Sequence, residues 1–272
     1  MEAKILKYLE TEFEKGLFLA SINYLKNHND PLRFNSFSYS LRELVRNIFA
    51  ARAPDELLKC CSWFKIETDN GMPTRQQRYI YCIQGGLSHS FVRSELDMEI
   101  LSFWKDIKDS IDTLSKYTHV TEGTFGIPQE QCDKLSAEAL SSLLDIFDLM
   151  SDAKTELIFK LEKRINQELM STFVSNAMSD IDILSHSSYV EHAEVTESEI
   201  VYIDNAHIKF QGEGTAYVSL NYGKGDDACE LNDEYPFTFS GASLVNSPYQ
   251  LTISPDDISI DVSSWFGEDE SE

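Results

Sequence analysis

The spacing of apolar residues changes once along this chain, and the change constrains the fold more than any other feature. Up to about residue 185, apolar residues recur every three or four positions, as in amphipathic helices. Beyond that point they alternate with polar residues, as in half-buried strands. The sequence therefore predicts an α+β protein with an N-terminal all-α domain over residues 1–185, a small antiparallel β domain over residues 186–267 and an acidic tail over residues 268–272.

Five segments of the first part carry helical apolar stripes, over residues 4–27, 36–52, 91–118, 133–150 and 152–178. The clearest stripe, in residues 91–118, predicts one long core helix. Thr74 is placed to cap a further helix that ends before Gly85-Gly86, and Ser151 to cap the last one. The narrow stripe of residues 152–178 favours packing within one chain and is also compatible with pairing between two copies in a homodimer.

The second part predicts short strands separated by turns. Alternating segments occupy residues 200–203, 206–210, 216–222, 237–239, 251–253 and 258–260. Turn-forming residues lie among them, at Asp204-Asn205, Gly212 to Gly214, Gly223 to Gly225 and Ser254 to Asp257. Short connections of this kind favour antiparallel pairing, because parallel strands need long crossovers.

The distribution of charge limits where nucleic acid can bind. The net charge is −23, and the acids are unevenly spread: residues 1–185 hold 21 Lys and Arg against 28 Asp and Glu, whereas residues 186–272 hold 2 against 18. The C-terminal third should therefore repel nucleic acid and suit a basic protein partner. A phosphate-binding surface is expected in residues 33–78, where eight basic residues stand against five acidic ones.

Several classes of protein are excluded by what the sequence lacks. No run of eighteen apolar residues predicts a membrane span, and the frequent charges of the first twenty residues exclude a secretory leader. Five cysteines without a paired spacing indicate reduced thiols, so a cytoplasmic location is expected. No P-loop, dinucleotide, serine-hydrolase or zinc-protease motif is present, so no cofactor or metal is predicted, although magnesium is compatible with a nuclease.

His119 and the arginines of the predicted helix 36–52 are the first candidate site residues. His119 follows the helix over residues 91–118 and suits general acid or base catalysis, with Lys116 on the same face. The alternative is a histidine that meets the negative end of the helix dipole. Arg42 and Arg46 project from one side of their helix and suit bidentate contact with phosphate.

An irregular stretch between the predicted helices, residues 62–90, supplies further candidates. It carries side chains suited to stacking on bases and to binding phosphates, namely Trp63, Lys65, Arg75 and Arg78. Polar, aromatic insertions between regular elements are common places for function. For the arginines, the alternative explanation is salt bridging to the many carboxylates of this chain.

Several stretches of the sequence resemble one known family. They are Phe34 to Arg46 (FNSFSYSLRELVR), Ser62-Trp63-Phe64 with Arg75 to Tyr81 and Gly85-Gly86-Leu87, Leu114 to Val120, and in the β part Tyr222-Gly223 and Tyr235-Pro236-Phe237. Together they resemble the bacterial predicted pPIWI-associating nucleases over most of the chain. The resemblance implies a nuclease-like component of an antiphage defence system, which binds RNA or DNA and has the chemistry to cleave it.

The helical part also resembles HEPN domains, in which an arginine-bearing helix pairs with a helix that ends in a histidine, and dimers cleave RNA without metal. The catalytic residues that this implies are His119, Arg42, Arg46 and Lys116, with nucleic acid bound by Arg75, Arg78, Lys65 and Trp63. HEPN nucleases place an arginine before the histidine with four to six residues between them. Here Asp112, Thr113 and Leu114 occupy those positions, so Arg42 or Arg46 must serve from the neighbouring helix.

A different class of function stays open at this point. The chain is also compatible with a non-enzymatic interaction or adaptor protein, whose acidic β domain docks onto a basic protein partner or mimics DNA. In that case the helical part is a binding module without catalysis.

Overall fold

The computed structural model describes residues 1–172, 187–223 and 229–266, and it confirms the predicted α+β class. The predicted domain boundary at residue 185, the predicted helix end at residue 178 and the acidic tail lie outside the described residues. The chain forms two compact units. The helical unit comprises Met1–Gly85 and His89–Leu157, and the sheet unit comprises Gly86–Ser88 and the residues from Ile158 onward.

Eight α-helices are present in the described residues. They are α1 (Glu2–Tyr8), α2 (Glu12–Lys26), α3 (Arg33–Arg52), α4 (Asp55–Lys59), α5 (Arg75–Gln84), α6 (His89–Ser94), α7 (Ile100–Lys116) and α8 (Gln129–Thr172). The predicted cap of α5 is confirmed, because Thr74 Oγ1 accepts a hydrogen bond from Gln77 N and the Gln77 side chain accepts one from Thr74 N. The helix ends at Gln84, before Gly85 with a φ of 55°. None of the described helices is both long and apolar enough to cross a membrane.

The single helix predicted over residues 4–27 is wrong, because the chain breaks between Tyr8 and Glu12. A capping box starts a new helix there: Thr11 Oγ1 accepts from Glu14 N at 3.1 Å, and the Glu14 carboxylate accepts from Thr11 N at 3.3 Å. The same carboxylate accepts from Glu10 N at 2.7 Å. These bonds satisfy backbone donors that a continuous helix would have paired internally.

The helix predicted over residues 91–118 is also divided, into α6 and α7. Asp97 lies between them with a φ of 48°, a left-handed conformation that a helix does not tolerate. The opposite correction applies to residues 133–150 and 152–178, which were predicted as two helices. The structure has one helix of 44 residues from Gln129 to Thr172, with Ser151 exposed in its middle. No glycine or proline interrupts this segment, so nothing ends the helix at Ser151.

Helix α3 lies at the centre of the helical unit and contacts α2, α5 and α7. Its fully buried side chains include Phe34, Phe37, Leu41 and Leu44. Burying each such side chain contributes about 1.5–3 kcal/mol. A second cluster joins α5 to α7, where the rings of Tyr79 and Trp104 lie 5.5 Å apart. The candidate residues of α3, α5 and α7 are therefore attached to one rigid core.

In the sheet unit, the described residues form an antiparallel sheet of five strands. They are β1 (Ser187–Ile203), β2 (His207–Tyr222), β3 (Cys229–Leu244), β4 (Ser247–Thr252) and β5 (Ile258–Ile260). The order is β1-β2-β3-β4, and β5 also pairs with β3. The last turns of α8 belong to this unit, and the Glu162 carboxylate accepts a hydrogen bond from Ile200 N of β1 at 2.8 Å.

The turn predicted at Gly212 to Gly214 is wrong, since these residues lie inside β2. The glycines face phenylalanine rings across the sheet in three pairs, Gly212 with Phe239, Gly214 with Phe237 and Gly241 with Phe210. A Cβ atom on Gly212 would lie 2.6 Å from Phe239 Cζ. The glycines therefore make room for rings on the neighbouring strand, a role that composition alone does not separate from a turn.

Candidate functional site

The segment after α7 is fixed to α3 by the side chain of Asn35. Its Nδ2 donates to the carbonyl of Tyr117 at 3.2 Å, to that of His119 at 3.4 Å and to Thr124 Oγ1 at 3.1 Å. Asn35 is only 4% exposed, and the rings of Phe34 and Tyr117 lie 5.2 Å apart beside it. Because buried hydrogen bonds are costly to break, the backbone that carries His119 is held in place.

Arg42 lies two turns further along α3 and reaches the same segment. Its Nη1 donates to Thr118 Oγ1 at 3.3 Å, and this hydroxyl in turn donates to the carbonyl of Ser115 at 2.8 Å. The Arg42 guanidinium also lies over the ring of Tyr39, 5.4 Å from its centroid. Arg42 of α3 thus hydrogen-bonds the residue that precedes His119 in the sequence.

His119 itself points to solvent. Its side chain is exposed and makes no hydrogen bond or ion pair within the part of the chain that the structure describes. Since α7 ends at Lys116, His119 lies three residues beyond the helix, whereas the field of a helix end is felt mainly within the last turn. Lys116 is also exposed, with Nζ 5.3 Å from the centre of the Tyr117 ring. An exposed, unpaired imidazole is accessible to a substrate.

Four of the predicted arginines meet at one cavity of about 500 Å³ in the helical unit. Its charged lining consists of Arg42, Glu43, Arg46, Arg75 and Arg78. Its apolar lining consists of Val45, Phe49, Ala50, Met72, Pro73 and Ile111. The cavity therefore has four guanidinium groups against one carboxylate, a local excess of positive charge in a strongly acidic chain.

The four arginines differ in how far they are already paired. Arg78 donates to Asp55 Oδ1 at 2.5 Å and to the carbonyl of Ala53 at 2.6 Å, so it fixes α5 to the start of α4. Arg46 has 71% of its side chain exposed and touches Glu43 at 3.4 Å. Arg75 is exposed and has no ion pair in the described part of the chain. The salt-bridge explanation thus fits Arg78, while Arg46 and Arg75 keep donors for a ligand.

Glu43 is a residue of this cavity that the sequence analysis missed. Its carboxylate lies 3.3 Å from Arg42 Nη2 and 3.4 Å from Arg46 Nε, and its side chain is only 18% exposed. One carboxylate thus holds two guanidinium groups together at the cavity. The i, i+3 spacing of Glu43 and Arg46 was a signal for one of these contacts, but the sequence does not show that Arg42 reaches the same carboxylate.

Two other candidates of the sequence analysis do not line the cavity. Trp63 is buried, its Nε1 donates to the carbonyl of Gly85 at 3.0 Å, and its ring packs on His89. These contacts give Trp63 a structural role in the helical unit. Lys65 is exposed, and its carbonyl accepts from Gln77 Nε2 at 2.7 Å. His119 and Lys116 also lie outside the cavity lining, and Arg42 connects the cavity to their segment.

The five cysteines are free, and burial raises the pKa of Cys82 to about 12, which keeps this thiol protonated at neutral pH. Within the described ranges, no group of three or more His, Cys, Asp or Glu side chains is arranged to hold a metal ion.

A second cavity, also of about 500 Å³, lies on the sheet unit. Its carboxylates come from Glu197, Glu199, Glu213 and Asp257, and its lining also includes Gly212 and Phe239. No lysine or arginine of the described residues lines it. The cavity therefore repels phosphate and suits a cationic group.

Comparison with known families gives two matches in sequence order. A family model described as a predicted pPIWI-associating nuclease matches residues 6–143, and a second model with the same description matches residues 150–266. The first match contains the arginine cavity and the segment of His119, and the second contains the acidic cavity. No curated protein and no solved structure matches the chain.

Proposed function

Because the chain belongs to the family of predicted pPIWI-associating nucleases, we propose that it binds RNA or DNA through the arginine cavity and cleaves it with His119. The observation that carries the proposal is the meeting of Arg42, Arg46 and Arg75 at one cavity in a chain of net charge −23. A local concentration of guanidinium groups in a strongly acidic chain favours the binding of an anionic ligand.

The arginines suit phosphate in particular. A planar guanidinium presents paired N–H donors that match the oxygens of a phosphodiester, and each contact releases counterions from the nucleic acid. Arg46 and Arg75 are exposed at the cavity, and both keep N–H donors for a strand, since the ion pair of Arg46 with Glu43 uses only its Nε. Arg42, bound between Glu43 and Thr118, is more restricted and suits a positioned contact beside His119.

For RNA, the arrangement supports cleavage by the ribose itself. His119 takes the proton of the 2′-hydroxyl, the 2′-oxygen attacks the adjacent phosphorus, and the bond to the 5′-oxygen breaks. The leaving 5′-oxygen receives a proton from an acid or from water. The negative charge that grows on the phosphoryl oxygens in the transition state is stabilised by Arg42, with Lys116 on the same segment as a further cation.

The test is incubation of the full-length protein with end-labelled RNA and DNA, single-stranded and duplex, with magnesium or with EDTA. We expect His119→Ala to lower the cleavage rate by about 10²-fold or more, with binding and the circular dichroism spectrum unchanged. We expect Arg46→Ala and Arg75→Ala each to weaken binding and to reduce the slope of log K against log salt by about 1.

The control for His119 is His28→Ala, which changes another exposed histidine of the helical unit that lies away from the cavity. This variant should cleave as the unchanged protein does. Wild-type cleavage by the His119→Ala variant would remove His119 from the mechanism. Wild-type binding by both arginine variants would remove the cavity from the site.

Family membership also supports a wider setting, which belongs to the same proposal. A nuclease that acts with a pPIWI protein suits a bacterial defence system against phage, and the HEPN resemblance suits action as a homodimer. Sedimentation of the purified chain with and without RNA tests the second point. A monomer under all conditions would remove the dimer from the proposal.

We infer a second function, protein docking, from the acidic cavity of the sheet unit. Four carboxylates without a basic neighbour among its lining favour a lysine- or arginine-rich segment of a partner protein. The test is binding of a decalysine peptide to the full chain at low and high salt. Replacing Glu197, Glu199 and Glu213 by Gln should weaken binding more than replacing Glu191, Glu194 and Glu234, which lie outside the cavity. Equal losses in both triple variants would indicate that only the net charge matters.

A further inference from the structure

The arginine cavity has an apolar side as well as a charged one. Val45 and Phe49 of α3 and Ile111 of α7 are at most 5% exposed in the fold, and they form part of its wall. Pro73 and Met72 complete this side. Phosphate alone makes no use of an apolar wall, because its oxygens gain nothing from contact with aliphatic carbon. A ligand that carries an apolar group together with its phosphate would use both sides of the cavity.

The positive charge of the cavity is reinforced by the backbone. Pro73 and Arg75 both line it, and they flank Thr74, the N-cap of α5. The positive end of this ten-residue helix therefore lies at the cavity, where it attracts an anion. The anionic part of the ligand is accordingly expected on the side of Arg46 and Arg75, and the apolar part against Val45 and Phe49.

We propose that the cavity binds one unpaired nucleotide, with its phosphate on Arg46 and Arg75 and its base against the apolar wall. The proposal rests on the proposed binding of nucleic acid and adds the class of substrate, which is single-stranded. In a duplex the base faces are stacked and only the backbone and groove edges are accessible, so a duplex would leave the apolar wall unfilled. A cavity of about 500 Å³ also falls in the range of sites that enclose a small organic ligand.

The first test fills the cavity without changing its charge. Ala50 lines the cavity and is exposed, and the neighbouring Ala51 is exposed but lies outside it. We expect Ala50→Phe to weaken binding of a single-stranded oligonucleotide by about tenfold, since base stacking contributes on that scale. Ala51→Phe, a matched change on the same helix, should leave it unchanged. Binding of a duplex of the same sequence should be weak and equal in all three proteins.

The second test uses the parts of one nucleotide. Adenosine 5′-monophosphate, adenosine and inorganic phosphate are titrated into the full chain by calorimetry. We expect the monophosphate to bind at least about tenfold more tightly than either part, because it uses both sides of the cavity. Competition by the monophosphate against the single-stranded oligonucleotide should be lost in Ala50→Phe.

The outcomes separate the two proposals. If Arg46→Gln and Arg75→Gln weaken binding of oligonucleotides but Ala50→Phe does not, the cavity binds phosphate and the nucleotide proposal is overturned. Equal affinity for single strands and duplexes would overturn it as well. If the two arginine variants bind every oligonucleotide as the unchanged protein does, the proposed function fails together with the inference.

Discussion

Arg42 and Thr118 lie 76 residues apart in the sequence, yet the arginine Nη1 and the threonine Oγ1 are 3.3 Å apart in the fold. Thr118 precedes His119, so this bond connects the arginine helix to the candidate catalytic histidine. Replacing Thr118 by Val removes the acceptor while keeping the size and β-branched shape of the side chain. We expect a fall in cleavage rate of about fivefold, the equivalent of about 1 kcal/mol for one hydrogen bond, measured as kcat on labelled RNA. Thr118→Ser should restore the rate.

Arg78 and Arg75, two arginines of the cavity, should differ in how much each contributes to the stability of the fold. Arg78 satisfies the carbonyl of buried Ala53 and the carboxylate of Asp55, so Arg78→Ala should lower the free energy of unfolding by about 1–3 kcal/mol. Arg75 is exposed without an ion pair among the described residues, so Arg75→Ala should stay within about 0.5 kcal/mol. Urea denaturation of both variants decides this. A larger loss for Arg75→Ala would contradict the assignment of Arg75 to ligand binding.

Replacement of two glycines by alanine should change the stability of the protein in opposite directions. A Cβ on Gly212 meets the Phe239 ring at 2.6 Å, so Gly212→Ala should destabilise the sheet unit by about 1–3 kcal/mol. Gly16 lies in α2 with no atom within 4 Å of a new Cβ, so Gly16→Ala should stabilise its helix by about 0.5–1 kcal/mol. Thermal unfolding measures both. A neutral Gly212→Ala would mean that the Phe239 ring and the Glu197 carbonyl, which the new Cβ would also meet, can both move aside.

The contact between Tyr8 and Asp148 should make stability fall at high pH. The tyrosine hydroxyl donates to the Asp148 carboxylate at 2.5 Å, and this bond, with burial and the carboxylate charge, raises the pKa of Tyr8 from 10.0 to about 12. A raised pKa means that the folded state holds the proton more tightly. The contribution is therefore complete below pH 10 and is lost as the pH rises through about 12.

Tyr8→Phe tests this contact, because the phenyl ring keeps the stacking of Tyr8 on Phe147 at 5.3 Å. At pH 8 the variant should be less stable by about 1 kcal/mol. Between pH 10 and 12 it should lose less stability than the unchanged protein, as measured by urea denaturation at each pH. The same pH dependence in both proteins would show that Tyr8 does not titrate with unfolding.

The spacing of apolar residues correctly predicted those elements whose structure depends on local sequence. The stripes of α3 and the core of α7, the cap at Thr74 and the α+β class follow from spacing and capping rules. The break before α2 depends on a reciprocal bond between Thr11 and Glu14, and the break before α7 on one left-handed residue, Asp97. The spacing of apolar residues reveals neither of these two breaks. Gly212 was wrongly predicted to form a turn, because the contact that requires a glycine there comes from the Phe239 ring on the neighbouring strand.

The candidate site, too, could be predicted only as far as local sequence determines it. The sequence indicated the arginines as a group, since their charge stands out from an acidic chain, and four of them meet at one cavity. Residue type alone could not tell that Arg78 is used internally while Arg75 is not. It also could not tell that Glu43 bridges two guanidinium groups, or that Trp63 is buried against His89. These properties depend on neighbours that are distant in the sequence.

The hydrogen bonds from Asn35 to the carbonyls of Tyr117 and His119 have a consequence for the order of folding. These bonds span 82 and 84 residues, so they close only after α3 and α7 have both formed and come together. A nascent or partly unfolded chain carries every candidate residue but has not yet brought Arg42 beside His119. The proposed site is therefore assembled only when the helical unit is complete, and an unfinished chain would lack it.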